Sequence, residues 1–286
     1  MEYGVDYGSD ILATGEARIV REQNPDTKIA FGNPEALSPT SEGKTKLYWS
    51  EIFENNPNIL QPGENAEEIT IIANFPKSRP FINYAKTKYT QIDEQNKTPY
   101  KFAYNADYET TRGELFFSDN EIAEAEKLIG DLEAPIIFID PIAGIENKGW
   151  LPERWNNLVE QSSYNFVQLL YNNQPTALNG VTQIDPKTFR LACAILKVCS
   201  GKSILLTTDS NLHHAAAALN MPTIVLWSHY SHPDNLGYEE HINIRWDAAG
   251  TPCGLRDSCI QCKHSMEMIK VEDVLLAIDM TIKELR

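Results

Sequence analysis

The hydrophobic pattern is most regular in the second half of the chain. Short apolar runs alternate there with segments of helical spacing, which predicts a parallel sheet covered by helices on both faces. The predicted strands are APIIFIDP (134–141), NFVQLLY (165–171), KSILLTTD (202–209) and MPTIVLW (221–227). The predicted helices between them are LPERWNNLVEQ (151–161), DPKTFRLACAILKVCSG (185–201) and NLHHAAAALN (211–220).

Local signals predict where two of these helices begin and end. Pro152 suits a first helical turn, where a missing N–H costs nothing. In the second helix we expect Asp185 to be the N-cap, Pro186 to follow it and Gly201 to end the helix.

The first half of the chain is less regular. Apolar spacing predicts a helix in DILATGEARIVREQNPD (10–26) and strands in TKIAFGN (27–33) and EITIIAN (68–74). Residues 33–66 and 76–112 are rich in Pro, Asn, Lys, Tyr and Thr, which predicts loops and short elements.

A capped acidic helix in 118–134 lies where two α/β domains would be connected, and a final helix is expected over about 271–285. We therefore predict a small, irregular N-terminal domain over residues 1–118, a connecting helix over 119–133 and a C-terminal domain over 134–286.

Net charge narrows the range of partners. The 286 residues carry a formal charge of −15, which disfavours wholesale binding to nucleic acid. A short basic strip (Lys77, Arg79, Lys86 and Lys88) still leaves a DNA acceptor open. Five cysteines and the lack of an apolar run near 20 residues favour a reducing compartment and no membrane span. Acidic residues in MEYGVDYGSD do not resemble a signal peptide, so we expect a cytoplasmic protein.

The stretch TTDSN (207–211) follows a predicted buried strand and opens a helix. Ligands of open α/β sheets bind at that edge, and the unpaired N–H groups of a helix start attract phosphate. Simple helix capping by Asp209 or Ser210 is the structural alternative. A Ser-His-Asp triad is disfavoured because its members would share one helical turn. A metal site is disfavoured because His213 and His214 point about 100° apart on a helix.

Two further loops carry candidate side chains. Lys148 lies between a strand and a helix, where it could neutralise part of a diphosphate, or it is a solvated surface lysine. Asp10 lies in a glycine-preceded loop (YGSD, 7–10) before a predicted helix, where it could act as a general base, or it is an N-cap.

A cysteine cluster lies near the end of the chain. Cys253, Cys259, Cys262 and His264 could hold a structural zinc ion, but the spacing is not that of a standard finger. Free buried thiols are the favoured alternative.

The second half resembles glycosyltransferase family 9, which includes the ADP-heptose:lipopolysaccharide heptosyltransferases. The resemblance is carried by IIFIDPIAGIENKGWLPERWNNLVEQ, by ILLTTDSNLHHAAAALNMPTIVLW, and by the cysteines before VEDVLLAI, over about 134–286. It implies an α/β protein of GT-B architecture, with two Rossmann-like domains facing across a cleft and the nucleotide-sugar donor in the C-terminal one.

The resemblance also implies roles for particular residues. Lys148 would contact the donor phosphates, and the helix start at Thr208, Asp209, Ser210 and Asn211 would cradle them. The family histidine matches His214 rather than His213. Two positions depart from the family: Asn211 stands where glycine is usual, and Ser9 stands where the family has its presumed base, with Asp10 one residue later.

The leading hypothesis is an inverting glycosyltransferase without metal or other cofactor, which uses a nucleoside-diphosphate sugar as donor. Asp10 would be the base on an acceptor hydroxyl of a saccharide, a small molecule or a hydroxylated DNA base. The alternatives are a catalytically inactive nucleotide-sugar-binding protein and a zinc-stapled interaction module built on the cysteine cluster.

Overall fold

A computed structural model describes residues 7–32, 47–73, 108–171, 178–246, 252–255 and 258–285. Two sheets organise these residues. A three-stranded sheet in the first part of the chain has the order β2-β1-β3, and a six-stranded sheet in the second part has the order β6-β5-β4-β7-β8-β9. Every strand pair in the larger sheet is parallel, which confirms the predicted sheet type.

The elements follow one another along the chain in this order: α1 (Tyr7–Gln23), β1 (Thr27–Gly32), β2 (Leu47–Tyr48), β3 (Glu68–Ala73), α2 (Asp119–Ile129), β4 (Ile136–Asp140), α3 (Pro152–Glu160), β5 (Asn165–Leu169), β6 (Thr182–Ile184), α4 (Phe189–Cys199), β7 (Ile204–Thr208), α5 (Asn211–Ala218), β8 (Thr223–Trp227), α6 (Pro233–Leu236), β9 (Ile242–Arg245), α7 (Ile260–Met268) and α8 (Val271–Glu284). Single 3-10 turns lie at Glu51–Phe53 and Glu146–Lys148.

The predicted cap of α4 is wrong. The helix begins at Phe189, and its N-cap is Thr188, whose side chain accepts a hydrogen bond from the Leu191 N–H at 3.1 Å. Asp185 instead accepts from the Lys187 N–H in a preceding turn, and Lys187 has a φ of +66°. A left-handed residue cannot belong to the helix, so the helix starts after it.

Side chains alternate between the two faces of the larger sheet, and each face is covered by its own hydrophobic core. On β4, Ile136 and Phe138 join one hydrophobic core, and Ile137 and Ile139 join the core on the opposite face. Almost every position of its central strands is therefore apolar, which explains why the sequence pattern in this half is so clear.

The first of these cores continues into the N-terminal part of the chain. It contains Ile11 from α1 and Phe31 from β1 together with Phe138 from β4 and Leu212 from α5. Helix α1 thus packs between the small sheet and α5. Side chains from both sheets therefore belong to one hydrophobic core.

Segment 108–117 crosses α1 at very close range. A Cβ added at Gly15 would come within 2.4 Å of the Arg112 carbonyl oxygen, and one added at Gly113 would come within 2.3 Å of the Ile11 carbonyl oxygen. No larger residue fits at either position without moving backbone. The guanidinium of Arg112 then donates to the Ala217 carbonyl of α5 at 2.7 Å, which fixes the segment to the C-terminal part.

Arg190 of α4 is a second anchor between the two parts. Its side chain is buried and forms an ion pair with Glu121 of α2. It also donates to the backbone carbonyls of Glu51 and Phe116. One charged side chain thus holds three separate segments against the C-terminal sheet.

Candidate active site

The candidate site lies at the carboxyl edge of the larger sheet, where β4 and β7 end side by side. Asp140 at the end of β4 pairs in register with Thr207 of β7. The loop after β4 leads through the 3-10 turn to Lys148, and the loop after β7 leads directly into α5. Both predicted phosphate loops therefore meet at one edge.

Lys148 and Asp209 form a buried ion pair with 2.8 Å between Nζ and Oδ2. The same Oδ2 accepts from the Ser231 hydroxyl at 2.5 Å, and the Lys148 ammonium lies 5.2 Å from the centroid of the Tyr230 ring. Burial would raise the pKa of Asp209, but the charges of Lys148 and His213 and the hydrogen bonds from Lys148 and Ser231 together outweigh burial and hold that pKa below its ordinary value. Asp209 is therefore a carboxylate at neutral pH, and it fixes the lysine in place.

Asp140 is a buried carboxyl group that the sequence analysis did not select. Its Oδ2 accepts from the hydroxyls of Ser210 at 3.0 Å and Thr207 at 3.2 Å. Burial raises its pKa to about 6, against the effect of the hydrogen bonds from Ser210, the Ile142 N–H and Thr207. A polar residue at the end of a predicted buried strand was the signal that could have identified it.

The start of α5 has no side-chain cap. Ser210 is the N-cap, but its hydroxyl contacts Asp140 and Thr207, and its side chain makes no capping bond to the helix. The first-turn N–H groups of α5 therefore lack a side-chain cap. The Thr208 hydroxyl beside them is fully buried and has no hydrogen-bond partner among the described residues. The predicted cradle thus consists of backbone N–H groups and one hydroxyl.

The two histidines of α5 have different hydrogen-bond partners, but the expectation that they point apart is wrong, because their ring centroids lie 3.9 Å apart. The ring nitrogens of His213 lie 3.0 Å from the carbonyl oxygens of Ser210 and Leu236, and the ring is wholly buried. Burial lowers the pKa of His213, and the Asp209 carboxylate opposes that shift. His214 Nδ1 lies 2.9 Å from the Tyr238 hydroxyl. His213 packs inside the protein, and a ligand contact by His214 stays a prediction.

Asp10 lies within α1 and not in a loop before it, because the helix already begins at Tyr7. Its side chain is 1% exposed, and the Tyr48 hydroxyl lies 2.9 and 3.1 Å from its two oxygens. Tyr48 comes from β2, a two-residue strand that no sequence pattern indicated. Residues 1–6, which precede α1, lie outside the described residues.

Asn211 joins the N-terminal part to this edge of the sheet. Its Oδ1 accepts from the Gly8 backbone N–H at 3.0 Å, so the starts of α1 and α5 are adjacent. Asp10 follows two residues later in the same turn of α1. The structure thereby brings the predicted base and the predicted phosphate cradle into one region.

The three clustered cysteines come together, and His264 does not. The Sγ atoms of Cys253 and Cys262 lie 3.1 Å apart, and the ligand atoms of all three cysteines lie within 4.8 Å of one another. Three thiols suit a soft cation such as zinc or iron(II). His264 is half-exposed, 3.7 Å from Glu267, and is not among these ligands.

A second group of possible ligands consists of Asp209, His213 and His214, whose ligand atoms also lie within 4.8 Å of one another. The Lys148 ammonium already pairs with Asp209, and a positive charge there opposes a cation.

Two predictions concern regions beyond this site. The basic strip of Lys77, Arg79, Lys86 and Lys88 lies outside the described residues. Among the helices in the described ranges, none is long and apolar enough to cross a bilayer.

Comparisons with known proteins relate this geometry to a family. The model of glycosyltransferase family 9 (heptosyltransferase) matches residues 82–264. A comparison with curated proteins gave no match.

Solved structures similar to this chain include the family 9 glycosyl transferase of Veillonella parvula DSM 2008, with a TM-score of 0.58 and 16% identity over 99% of both chains. E. coli ADP-heptose LPS heptosyltransferase II matches with a TM-score of 0.46 and 20% identity over 60% of this chain. The match covers 54% of that enzyme, so the chain spans about half its length.

The iron-containing dodecameric glycosyltransferase TibC from E. coli H10407 matches with a TM-score of 0.47 and 14% identity, over 61% of this chain and 49% of TibC. The Veillonella structure confirms the predicted α/β fold class of GT-B type.

Proposed function

Because the chain belongs to glycosyltransferase family 9 (heptosyltransferase), we propose that it moves a sugar from a nucleoside-diphosphate sugar to an acceptor hydroxyl, with inversion and without a metal ion at the phosphates. The observation that carries this proposal is the buried Lys148–Asp209 pair beside the uncapped start of α5. Residues 134–286 would bind the donor, residues 1–118 would face the acceptor, and 119–133 would connect them. The five free cysteines favour a reducing compartment and hence a cytoplasmic site of action.

The leaving diphosphate would be stabilised by Lys148 and the first turn of α5. An ammonium group has three donors, and Asp209 accepts only one of them, so two remain for phosphate oxygens. The N–H groups of α5 and the Thr208 hydroxyl would add uncharged donors. Fixed donors in a water-poor site stabilise the developing charge, which is the role that a metal ion has in other transferases.

Asp10 would remove the proton from the acceptor hydroxyl as the sugar is transferred. A single carboxylate suffices for this step because a direct displacement requires one base and inverts the sugar carbon. The Tyr48 hydroxyl donates to the carboxylate and fixes its orientation. The acceptor would be a saccharide, a small molecule or a hydroxylated DNA base, with His214 of the donor side near the bound nucleotide.

One observation favours a second candidate, a catalytically inactive nucleotide-sugar-binding protein. The carboxylate of Asp10 is almost wholly buried and both of its oxygens contact Tyr48. An acceptor hydroxyl would have to replace Tyr48 or approach beside it.

A ligand screen followed by a turnover assay separates these candidates. Purified protein is heated with ADP-, GDP-, UDP- and CMP-sugars, and a ligand at about 100 times its Kd adds about 2.7 kcal/mol to stability. The best donor is then offered to saccharide, small-molecule and hydroxymethylated-DNA acceptors. Transfer supports the proposed enzyme, whereas tight binding with neither transfer nor hydrolysis supports the binding protein. An absence of any stabilisation would contradict both.

A further inference from the structure

One hydrogen bond connects the two sides of the proposed site through a side chain. Asn211 Oδ1 accepts from the backbone N–H of Gly8, a residue 203 positions earlier in the chain. Gly8 lies in the first turn of α1 as the described residues define it, where a backbone N–H has no carbonyl partner among the described residues of its own helix. Asn211 supplies that partner from the first residue of α5.

The surrounding contacts allow little movement between the two helix starts. The ring of Tyr7 stacks on that of Phe189, with 4.4 Å between centroids and 11° between planes. Ile11, one turn later, belongs to the same buried core as Leu212 and Ala215 of α5. The hydrogen bond therefore lies at the edge of a packed interface.

We propose that Asn211 is a positioning residue that fixes the first turn of α1, and with it the Asp10 carboxylate, against the phosphate-binding start of α5. The assignment rests on the proposed function, in which Asp10 is the base and α5 binds the diphosphate. Tyr48 holds Asp10 from the small sheet, and Asn211 holds the backbone that carries Asp10 from the large sheet.

The asparagine at this position makes a contact with Gly8 that a glycine here could not make. Glycine has no acceptor and could not reach the Gly8 N–H. The asparagine carboxamide has an acceptor oxygen, and its hydrogen bond links α5 on the proposed donor side to α1, which carries the proposed base. A nucleotide bound at the start of α5 would then reduce the motion of the first turn of α1 through this hydrogen bond.

The test combines hydrogen exchange with kinetics in Asn211→Ala, Asn211→Asp and the matched control Asn157→Ala. Asn157 is an exposed helical asparagine of α3, remote in sequence from both helix starts. Exchange is measured in residues 7–12 with and without saturating ADP, or whichever of GDP, UDP and CMP binds more tightly. The nucleotide Kd and kcat for the best donor are measured in parallel.

Asn211→Ala is expected to exchange at least about fivefold faster in residues 7–12, because the bond that closes the turn is lost. Its kcat is expected to fall about tenfold or more, since a displaced catalytic group is costly, with less than about a threefold change in nucleotide Kd. Asn211→Asp keeps an acceptor oxygen and is expected to restore slow exchange. Asn157→Ala should match the wild type in every measurement.

Several results would overturn the assignment. They are wild-type exchange and kcat in Asn211→Ala, fast exchange in both Asn211 variants, or a loss in kcat matched by an equal loss in nucleotide affinity. If the wild type transfers no sugar, the proposed function fails separately. The coupling is then decided by exchange alone: nucleotide must slow exchange of residues 7–12 in the wild type and leave Asn211→Ala unchanged.

Discussion

The two sheets of this protein are held in place by different kinds of contact. In the six-stranded sheet, the polar groups of the site lie at the ends of adjacent strands and bond to one another, as Asp140 does with Thr207 and Ser210. In the three-stranded part, α1 depends on groups from elsewhere, including the ring of Phe189 and the carboxamide of Asn211. The proposed donor side of the site is thus self-supporting, and the proposed base side is held by contacts from it.

The most severe loss of activity is expected from Asp10→Asn. An amide cannot take a proton, and general base catalysis typically contributes about 10²–10⁴-fold, so kcat should fall by that order while the nucleotide Kd stays near the wild-type value. Asp26→Asn, an exposed acid after the end of α1, is the matched control. Titration calorimetry and a transfer assay give the two quantities. Equal turnover in Asp10→Asn and the wild type would remove Asp10 from the mechanism.

Lys148→Met should affect both stability and nucleotide binding on the self-supporting side. It leaves the buried Asp209 carboxylate without its cation, which typically costs about 3–5 kcal/mol of unfolding free energy. The double variant Lys148→Met with Asp209→Asn removes the orphaned charge and should recover part of that loss without recovering nucleotide affinity. Urea unfolding and calorimetry on the wild type, both single variants and the double variant complete the cycle. Additive costs would show that the pair is not coupled.

Arg190→Met tests whether the N-terminal part depends on the C-terminal sheet. Removing the guanidinium takes hydrogen-bond donors from Glu121 and from two backbone carbonyls. The expected loss of unfolding free energy is about 3 kcal/mol, the lower end of the range for a buried ion pair, because Glu121 is partly exposed. Hydrogen exchange should accelerate around residues 51–53 and 116–121 and stay slow in β4 and β7. Lys187→Met, an exposed neighbour in sequence, should resemble the wild type. If hydrogen exchange accelerated equally in both sheets, the N-terminal part would not depend on the C-terminal sheet more than the reverse.

The last expected effect, comparable in size to that of Arg190→Met, is the pH dependence conferred by Asp140. Its pKa rises from 3.8 to about 6 on folding, so between those values the native state holds a proton that the unfolded chain has released. The stabilisation from this proton is complete below pH 4 and is lost as the pH rises through 6, about 3 kcal/mol in all. The unfolding free energy of the wild type relative to Asp140→Asn should therefore fall by that amount from pH 4 to pH 7. Parallel pH profiles would refute a raised pKa.

Sequence patterns predicted the larger sheet well because its elements are specified locally. Apolar runs with short loops placed β4, β5, β7 and β8, and Pro152 marked the start of α3. The loops after β4 and β7 then identified Lys148 and Asp209, whose direct pairing follows from adjacent parallel strands.

Long-range contacts explain what the sequence patterns missed. Tyr48, Arg190 and Asn211 each act on residues more than thirty positions away, which no local period reveals. The misplaced cap of α4 arose from the left-handed conformation of Lys187, and the helical start before Asp10 depends on packing against α5. The predicted roles of Asp10, Lys148 and His214 remain predictions until the variants are measured.

The contact between α1 and α5 also has a consequence for protein synthesis. Gly8 and Asn211 are 203 residues apart, so at about 5–20 residues per second the ribosome needs about 10–40 s to make the second partner after the first. A helix of 17 residues is marginally stable alone in water. During that interval Ile11, Ala13 and Ala17 lack α5, their later neighbour. The helix that carries the proposed base is thus translated long before α5, and it reaches its final place only after α5 has been made.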